Sequence, residues 1–150
     1  MSVSDQRSNI TRRKPADCTE PFKETSDHFV QRDGVTFAGT HLLLDLWGAR
    51  HLQDAGFIEQ TLRRAILAAG AELLHIHLHG FTTGGGISGV AVLAESHISV
   101  HTWPERDYAA FDIFMCGKAC PEQAARVIES AFQPVRTVTH EHRRGLLGDG

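Results

Sequence analysis

The sequence predicts an α+β fold, a two-layer α/β sandwich in which helices cover one face of a largely antiparallel sheet. Three observations predict it. Several short stretches are apolar or alternating at strand length, two longer stretches carry one apolar face at helical spacing, and their order reads β-α-β-β-β-β-α-β. With 150 residues, 41% of them apolar, the chain has material for one modest core and so for one domain.

The elements follow in order. Residues 1–27 are polar, carry both charge signs and two prolines, and cannot bury enough apolar surface to offset the entropy of ordering. We therefore read residues 1–34 as a mobile tail, residues 35–145 as the domain and residues 146–150 as a loose C-terminus; Arg12-Arg13-Lys14 reads as solvated tail. Thr36–Trp47 is strand-like and stops at Gly48. From His51 to Gly70, Ile58, Leu62, Ala65, Ile66 and Ala69 fall on one helical face, and Gly70 ends it. Glu72–His79 is a second strand, and Ile87–Ala94, nearly all apolar or small, a buried third. Ser99–Thr102 and Tyr108–Met115 give two more, linked through a turn at Pro104. Pro121 is placed to open a helix running to Phe132, and Val135–Glu141 is a last short strand.

Composition narrows the function. Fifteen basic against 18 acidic residues leave a net charge of −3, which argues against nucleic acid as an obligatory partner. No apolar run approaches the ~18 residues of a membrane span, and the first residues lack the apolar core of a signal peptide. Cys18, Cys116 and Cys120 cannot all pair with one another, and suggest a reducing, cytoplasmic setting in place of a disulfide framework.

The chemistry concentrates in residues 87–116. Glu95-Ser96-His97 ends an apolar run, His101 comes five positions after Ser96, Trp103-Pro104-Glu105 follows, and Cys116 closes the next strand-like run. A hydroxyl, an imidazole and a thiol on neighbouring strands are the groups of nucleophilic and acid–base catalysis. The G-x-S-x-G elbow of a serine hydrolase is absent around Ser96, and a strand follows where a helix would. On a strand, residues 97, 99 and 101 share one face and Ser96 lies on the other, so Ser96 and His101 meet only across a bend.

The segment from Ser88 to Glu105, SGVAVLAESHISVHTWPE, continued by YAAFDIFMCG from Tyr108 to Gly117, resembles the prokaryotic S-adenosylmethionine decarboxylase proenzymes. Weaker similarity reaches Gly39-Thr40-His41-Leu42 and Glu141-His142-Arg143-Arg144-Gly145, so that about 110 of the 150 residues are covered. The resemblance implies that Ser96 attacks the carbonyl of Glu95 and turns the peptide bond into an ester. Loss of the serine α-proton then expels the Glu95 carboxylate, and hydrolysis of the dehydroalanine releases ammonia. What remains is a β chain of residues 1–95 and an α chain of residues 96–150 that begins with a covalent pyruvoyl group. It further implies that Ser88 supports processing, that His101 is the proton acceptor in processing, and that the pyruvoyl group from Ser96 forms the Schiff base with substrate. Cys116 is then the proton donor in catalysis. A thiol of ordinary pKa about 8.5 is mostly protonated at neutral pH, which suits that role. Phe81 and Trp103 would stack the adenine and Glu105 would hold the ribose of S-adenosylmethionine, whose decarboxylated product donates an aminopropyl group for spermidine. The implied assembly is a homodimer of α/β heterodimers, with no metal, nucleic acid or membrane partner.

Two other readings stand beside this one. The same pyruvoyl chemistry serves a decarboxylase of another amino acid, ornithine or arginine, if the nucleoside pocket is remodelled. In another class, His75, His77 and His79 alternate along a strand and place three imidazoles on one face, as a zinc hydrolase or zinc-binding protein would use them. On residue type alone, Cys116, Phe81 and Trp103 read as core and Glu105 as a solvated turn charge. Gly84-Gly85-Gly86 reads likewise as a hairpin tip.

Overall fold

The computed structural model describes Cys18 and residues 23–148. A six-stranded sheet in the order β5-β6-β7-β8-β4-β9, antiparallel at every pairing, carries both helices on one face. Its strands are β4 (Gly39–Trp47), β5 (Leu73–Gly80), β6 (Ile87–Leu93), β7 (Ser96–Trp103), β8 (Tyr108–Cys116) and β9 (Arg136–Arg144). This is the two-layer α+β sandwich that the sequence predicts.

The helices start and stop where the sequence punctuates them. In α1 (Ala55–Ala69) the Asp54 carboxylate caps the N-terminus by accepting from the Phe57 N–H at 2.9 Å. Gly70, at φ +72°, ends it in the left-handed conformation that lets the Gly70 and Ala71 N–H groups return to the last turn. Pro121 opens α2 (Pro121–Phe132), where its missing N–H costs nothing. Ile58, Leu62, Ala65 and Ile66 of α1 and Ala124, Ile128 and Phe132 of α2 are buried against Leu42, Leu44, Leu46, Ile98, Val100, Phe111 and Ile113 of the sheet. Alternate residues of the same strands, among them His41, Asp45, Ser99 and Asp112, line the helix-free face.

Three differences from the sequence reading bear on the site. First, β7 begins at Ser96, three residues earlier than Ser99, so the serine is part of a strand. Second, the segment read as tail forms β1 (Lys23–Glu24) and β2 (Val30–Arg32), which join β3 (Val35–Phe37) in a small sheet; β3 is separated from β4 at Ala38. Val30 and Phe37 are buried, so a few apolar residues suffice to pin this polar stretch. The rest of that tail, residues 1–17 and 19–22, lies outside the described residues, as do 149 and 150 of the C-terminal segment, in which Leu147 donates to the Thr36 carbonyl. Third, Cys18 and Cys120 are disulfide-bonded with Cα atoms 5.9 Å apart, correcting the expectation of a chain without disulfides. An odd cysteine count forbids complete pairing, not a single pair, and a closure spanning 102 residues leaves no local trace. Cys116 is free.

Candidate active site

Only two residues, Ala94 and Glu95, join β6 to β7, with Leu93 opposite Ser96 in register. So short a hairpin demands positive φ. Glu95 supplies it at φ +64°, a left-handed conformation that costs a residue with a side chain on the order of 1 kcal/mol. The Ala94 N–H donates to the Glu72 carbonyl at 3.0 Å and ties the turn to the base of β5. Directly after the strained glutamate, Ser96 is buried, and its hydroxyl oxygen accepts the Cys116 backbone N–H of β8 at 3.2 Å.

Sharing this end of the sheet, the half-buried Cys116 thiol has its pKa raised by burial first and by the Glu95 carboxylate second. Strand β4 passes so close that a Cβ on Gly39 would lie 2.7 Å from the Met115 carbonyl and 3.0 Å from Cys116 Sγ, so only glycine fits. An open cleft of about 670 Å³ lies over Glu95 and Ser96, with Leu93, His97, Phe114 and Arg144 among its walls.

A second cluster forms at the other end of β7. Ser88 and His101 are cross-strand partners, and Ser88 Oγ lies 2.8 Å from His101 Nδ1. The His101 ring lies 6.2 Å from Trp103, which stacks on Tyr108 at 5.2 Å; Trp47 continues the stack at 4.3 Å. Phe81, half exposed, meets His79 edge-on, and the Phe81 N–H donates to the Gly86 carbonyl, closing the glycine-rich loop. That loop packs beside Glu105, which sits in a single 3-10 turn, Pro104–Arg106; a Cβ on Gly84 would lie 3.9 Å from the Glu105 carboxylate. Underneath, the buried Thr102 hydroxyl donates to the Leu52 carbonyl at 2.8 Å and accepts from the Ile87 N–H at 2.9 Å.

Within one chain the two clusters do not meet. Ser96 turns toward the helices with Ile98, Val100 and Thr102, whereas His97, Ser99, His101 and Trp103 alternate onto the more open face. β7 pairs without interruption with β6 from Ser96 to His101 and with β8 from His97 to Trp103, so the bend that would join Ser96 to His101 is not there. Five residues of extended strand separate them by roughly 16 Å. Ser88 stands with His101, away from the Glu95 carbonyl.

Sequence reasoning missed the polar network on the helix-free face. Asp112 lies 3.2 Å from His41 Nε2 and accepts from Ser99 at 3.1 Å, and Tyr108 donates to Asp45 at 2.5 Å. Burial first and the Asp45 hydrogen bond second push the Tyr108 pKa up to about 12. Strand alternation was the available signal, since Ser99 and Asp112 are direct cross-strand partners. His75, His77 and His79 lie exposed on edge strand β5, and their ring nitrogens do not converge. Among the described residues, the group of three potential ligand atoms lying within 4.8 Å of one another belongs to Cys18, Cys120 and Glu122, whose two sulfurs are bonded to each other.

Residues 40–145 match the family model described as S-adenosylmethionine decarboxylase. The chain is 44% identical over 115 residues to the S-adenosylmethionine decarboxylase proenzyme of Methanococcus maripaludis, covering 75% of this chain and 93% of that one. It is 38% identical over 112 residues to the proenzyme of the same name from Thermomicrobium roseum, covering 74% and 97%. The crystal structure of the adenosylmethionine decarboxylase from Aquifex aeolicus superimposes with a TM-score of 0.66 at 31% identity, over 76% of this chain and 96% of that one. Sequence and fold thus agree, and the chain belongs to the S-adenosylmethionine decarboxylase family.

Proposed function

We propose that this protein is a pyruvoyl-dependent S-adenosylmethionine decarboxylase that cuts itself between Glu95 and Ser96, leaving a β chain of residues 1–95 and an α chain of residues 96–150. One observation carries the reading. A buried serine hydroxyl, held by the Cys116 N–H, directly follows a glutamate in a left-handed turn. That arrangement fits the precursor of a pyruvoyl group. The hydroxyl belongs to the residue whose own preceding carbonyl it must reach, and moving the Glu95 acyl group from nitrogen to oxygen opens the strained turn. The C–N bond breaks as the O–C bond forms, the serine hydroxyl proton goes to a base, and the released amine takes up a proton. Removing the Ser96 α-proton then expels the Glu95 carboxylate, and water replaces nitrogen as ammonia to leave the carbonyl.

When present, the pyruvoyl group supplies a ketone that binds the substrate amine and an electron-accepting amide carbonyl that lets carbon dioxide leave. This chain's residues do the rest. Cys116, its thiol kept protonated by burial and by Glu95, delivers a proton to the substrate α-carbon. Phe81 and Trp103 stack the adenine, favoured by the cationic sulfonium, and Glu105 accepts from the ribose hydroxyls. His101, in contact with Ser88, is the proton acceptor in processing. The product is the aminopropyl donor for spermidine synthesis.

We place these roles in a homodimer of α/β heterodimers. One chain keeps Ser96 and Cys116 at one end of β7 and Ser88, His101 and Trp103 at the other, so a complete site draws the second set from another copy. Trp47, Val92 and Trp103, all exposed, give the helix-free face apolar surface for that contact. From the family match we also propose a cytoplasmic setting; among the described residues no helix is long and apolar enough to cross a membrane.

Intact-mass analysis of the wild type beside Ser96→Ala tests the reading. Two fragments divided at Glu95–Ser96, the shorter one of residues 96–150 starting with a blocked pyruvoyl N-terminus, are expected from the wild type and one 150-residue chain from the variant. A wild type that stays whole under native conditions overturns it.

A further inference from the structure

The residues around Glu95 include one that the family match does not reach. His28 precedes the matched region of residues 40–145 and lies in the turn between β1 and β2. Its Nε2 is 3.0 Å from the Glu95 carboxylate and its Nδ1 is 2.8 Å from Glu24. With a carboxylate at each ring nitrogen, the favoured form is the protonated imidazole, which donates from both.

The backbone holds this ring in place from several sides. His28 sits at φ +65°, its N–H donates to the Thr25 carbonyl at 3.0 Å, and its carbonyl accepts from the Gly117 N–H at 3.1 Å. Gly117 immediately follows Cys116, whose N–H holds Ser96 Oγ, so successive amides at the end of β8 anchor the His28 turn and the serine. A Cβ at Gly117 would lie 2.6 Å from the Glu24 carboxylate, so the first carboxylate is seated against the same corner. The N-terminal hairpin therefore grips both residues that flank the scissile bond, Glu95 through its side chain and Ser96 through the shared end of β8.

We propose that His28 is a positioning residue for self-processing: it tethers the Glu95 side chain and so holds the left-handed turn in which the Glu95 carbonyl is presented to Ser96. The inference rests on the reading of Glu95–Ser96 as the cleavage site. The charged groups facing His28 are Glu24 and Asp27 from its own hairpin and Glu95 from the β6–β7 turn, all acidic. They raise its pKa, Glu24 most and Glu95 less, with partial burial opposing. The sign follows. The tether is complete while His28 is protonated and is lost as pH rises through that elevated pKa.

The test is the first-order rate of cleavage, followed by intact mass from freshly refolded full-length proenzyme, for wild type, His28→Ala, His28→Gln, Glu95→Ala and the His28→Ala/Glu95→Ala pair. His28→Ala is expected to slow cleavage roughly tenfold, as expected when a reacting group loses part of its alignment. His28→Gln, which keeps one donor without charge, falls between. The ratio of wild-type to His28→Ala rates shrinks toward one as pH rises, and His28→Ala has no further effect once Glu95 is alanine. Equal rates for wild type and His28→Ala overturn the proposal, as does an equal slowing in the Glu95→Ala background, which would make the role merely structural. A wild type that is never cut overturns the cleavage reading itself, a different result from either.

Discussion

At its first residue β7 carries a serine that is buried, strained by its neighbour and held by one backbone amide; at its sixth it carries a histidine that is exposed and held by another side chain. On the proposed function, one strand serves two tasks. The Ser96 end is organised by backbone: a two-residue turn, a left-handed glutamate, the Cys116 N–H and a glycine at 39 against which no side chain would fit. The His101 end is organised by side chains, Ser88 on His101, Trp103 on Tyr108 and Glu105 beside the Gly84 turn. On the proposed function, backbone fixes where the chain is cut and side chains shape what is recognised.

The largest expected effect separates these ends chemically. His101→Ala should slow self-cleavage by roughly 10²–10⁴-fold, the usual contribution of a positioned base. When differently tagged chains are co-expressed, a Ser96→Ala chain should restore cleavage of the His101→Ala chain by lending it His101 of the partner subunit. No rescue, by intact mass of each tag, would break the comparison and return both residues to one chain.

Next in size, Cys116→Ala should leave self-cleavage intact, because the backbone amide of residue 116 holds Ser96, while lowering kcat of the processed enzyme about 100-fold. The thiol acts protonated and its pKa is raised, so kcat should persist at alkaline pH and fall only above the ~8.5 of a free cysteine. An alkaline limb at or below that value in the pH–kcat profile would remove Cys116 from the donor role.

The smallest effect concerns the scaffold. Thr102→Val strands the Leu52 carbonyl and the Ile87 N–H, both served by one buried hydroxyl, and should cost about 1–3 kcal/mol in thermal or denaturant unfolding. The Ser96–Cys116 contact is untouched, so the rate of self-cleavage should not change. A matching loss of cleavage rate would show that the ends of β7 are coupled through the strand.

Much of this was legible in the residues. The helix from Pro121 to Phe132 matches the sequence reading at both ends because proline and an amphipathic face are local signals. The α1 boundary differs by four residues at its start, since His51 to Gln53 have no helical partner and the cap falls at Asp54. β7 is longer than the Ser99–Thr102 strand that the sequence predicts, because the strand conformation of Ser96 and His97 is imposed by pairing with Leu93 and Val92. The tail predicted over residues 1–34 runs too far for the same reason: Val30–Arg32 forms a strand through its pairing with Val35–Phe37, not through composition.

By itself the sequence determined the α+β class, the order of elements in the main sheet and its helices, the family and the candidate catalytic groups, because hydrophobic period, punctuation and a long contiguous motif are all written along the chain. Only the tertiary structure decided which of those groups meet. Strand pairing put Ser96 against Cys116 and Ser88 against His101, kept the two sets apart along an unbent strand, and brought His28 to Glu95. These contacts join residues from different strands and turns, and their geometry depends on register, a property of the packed sheet that no single stretch of sequence carries.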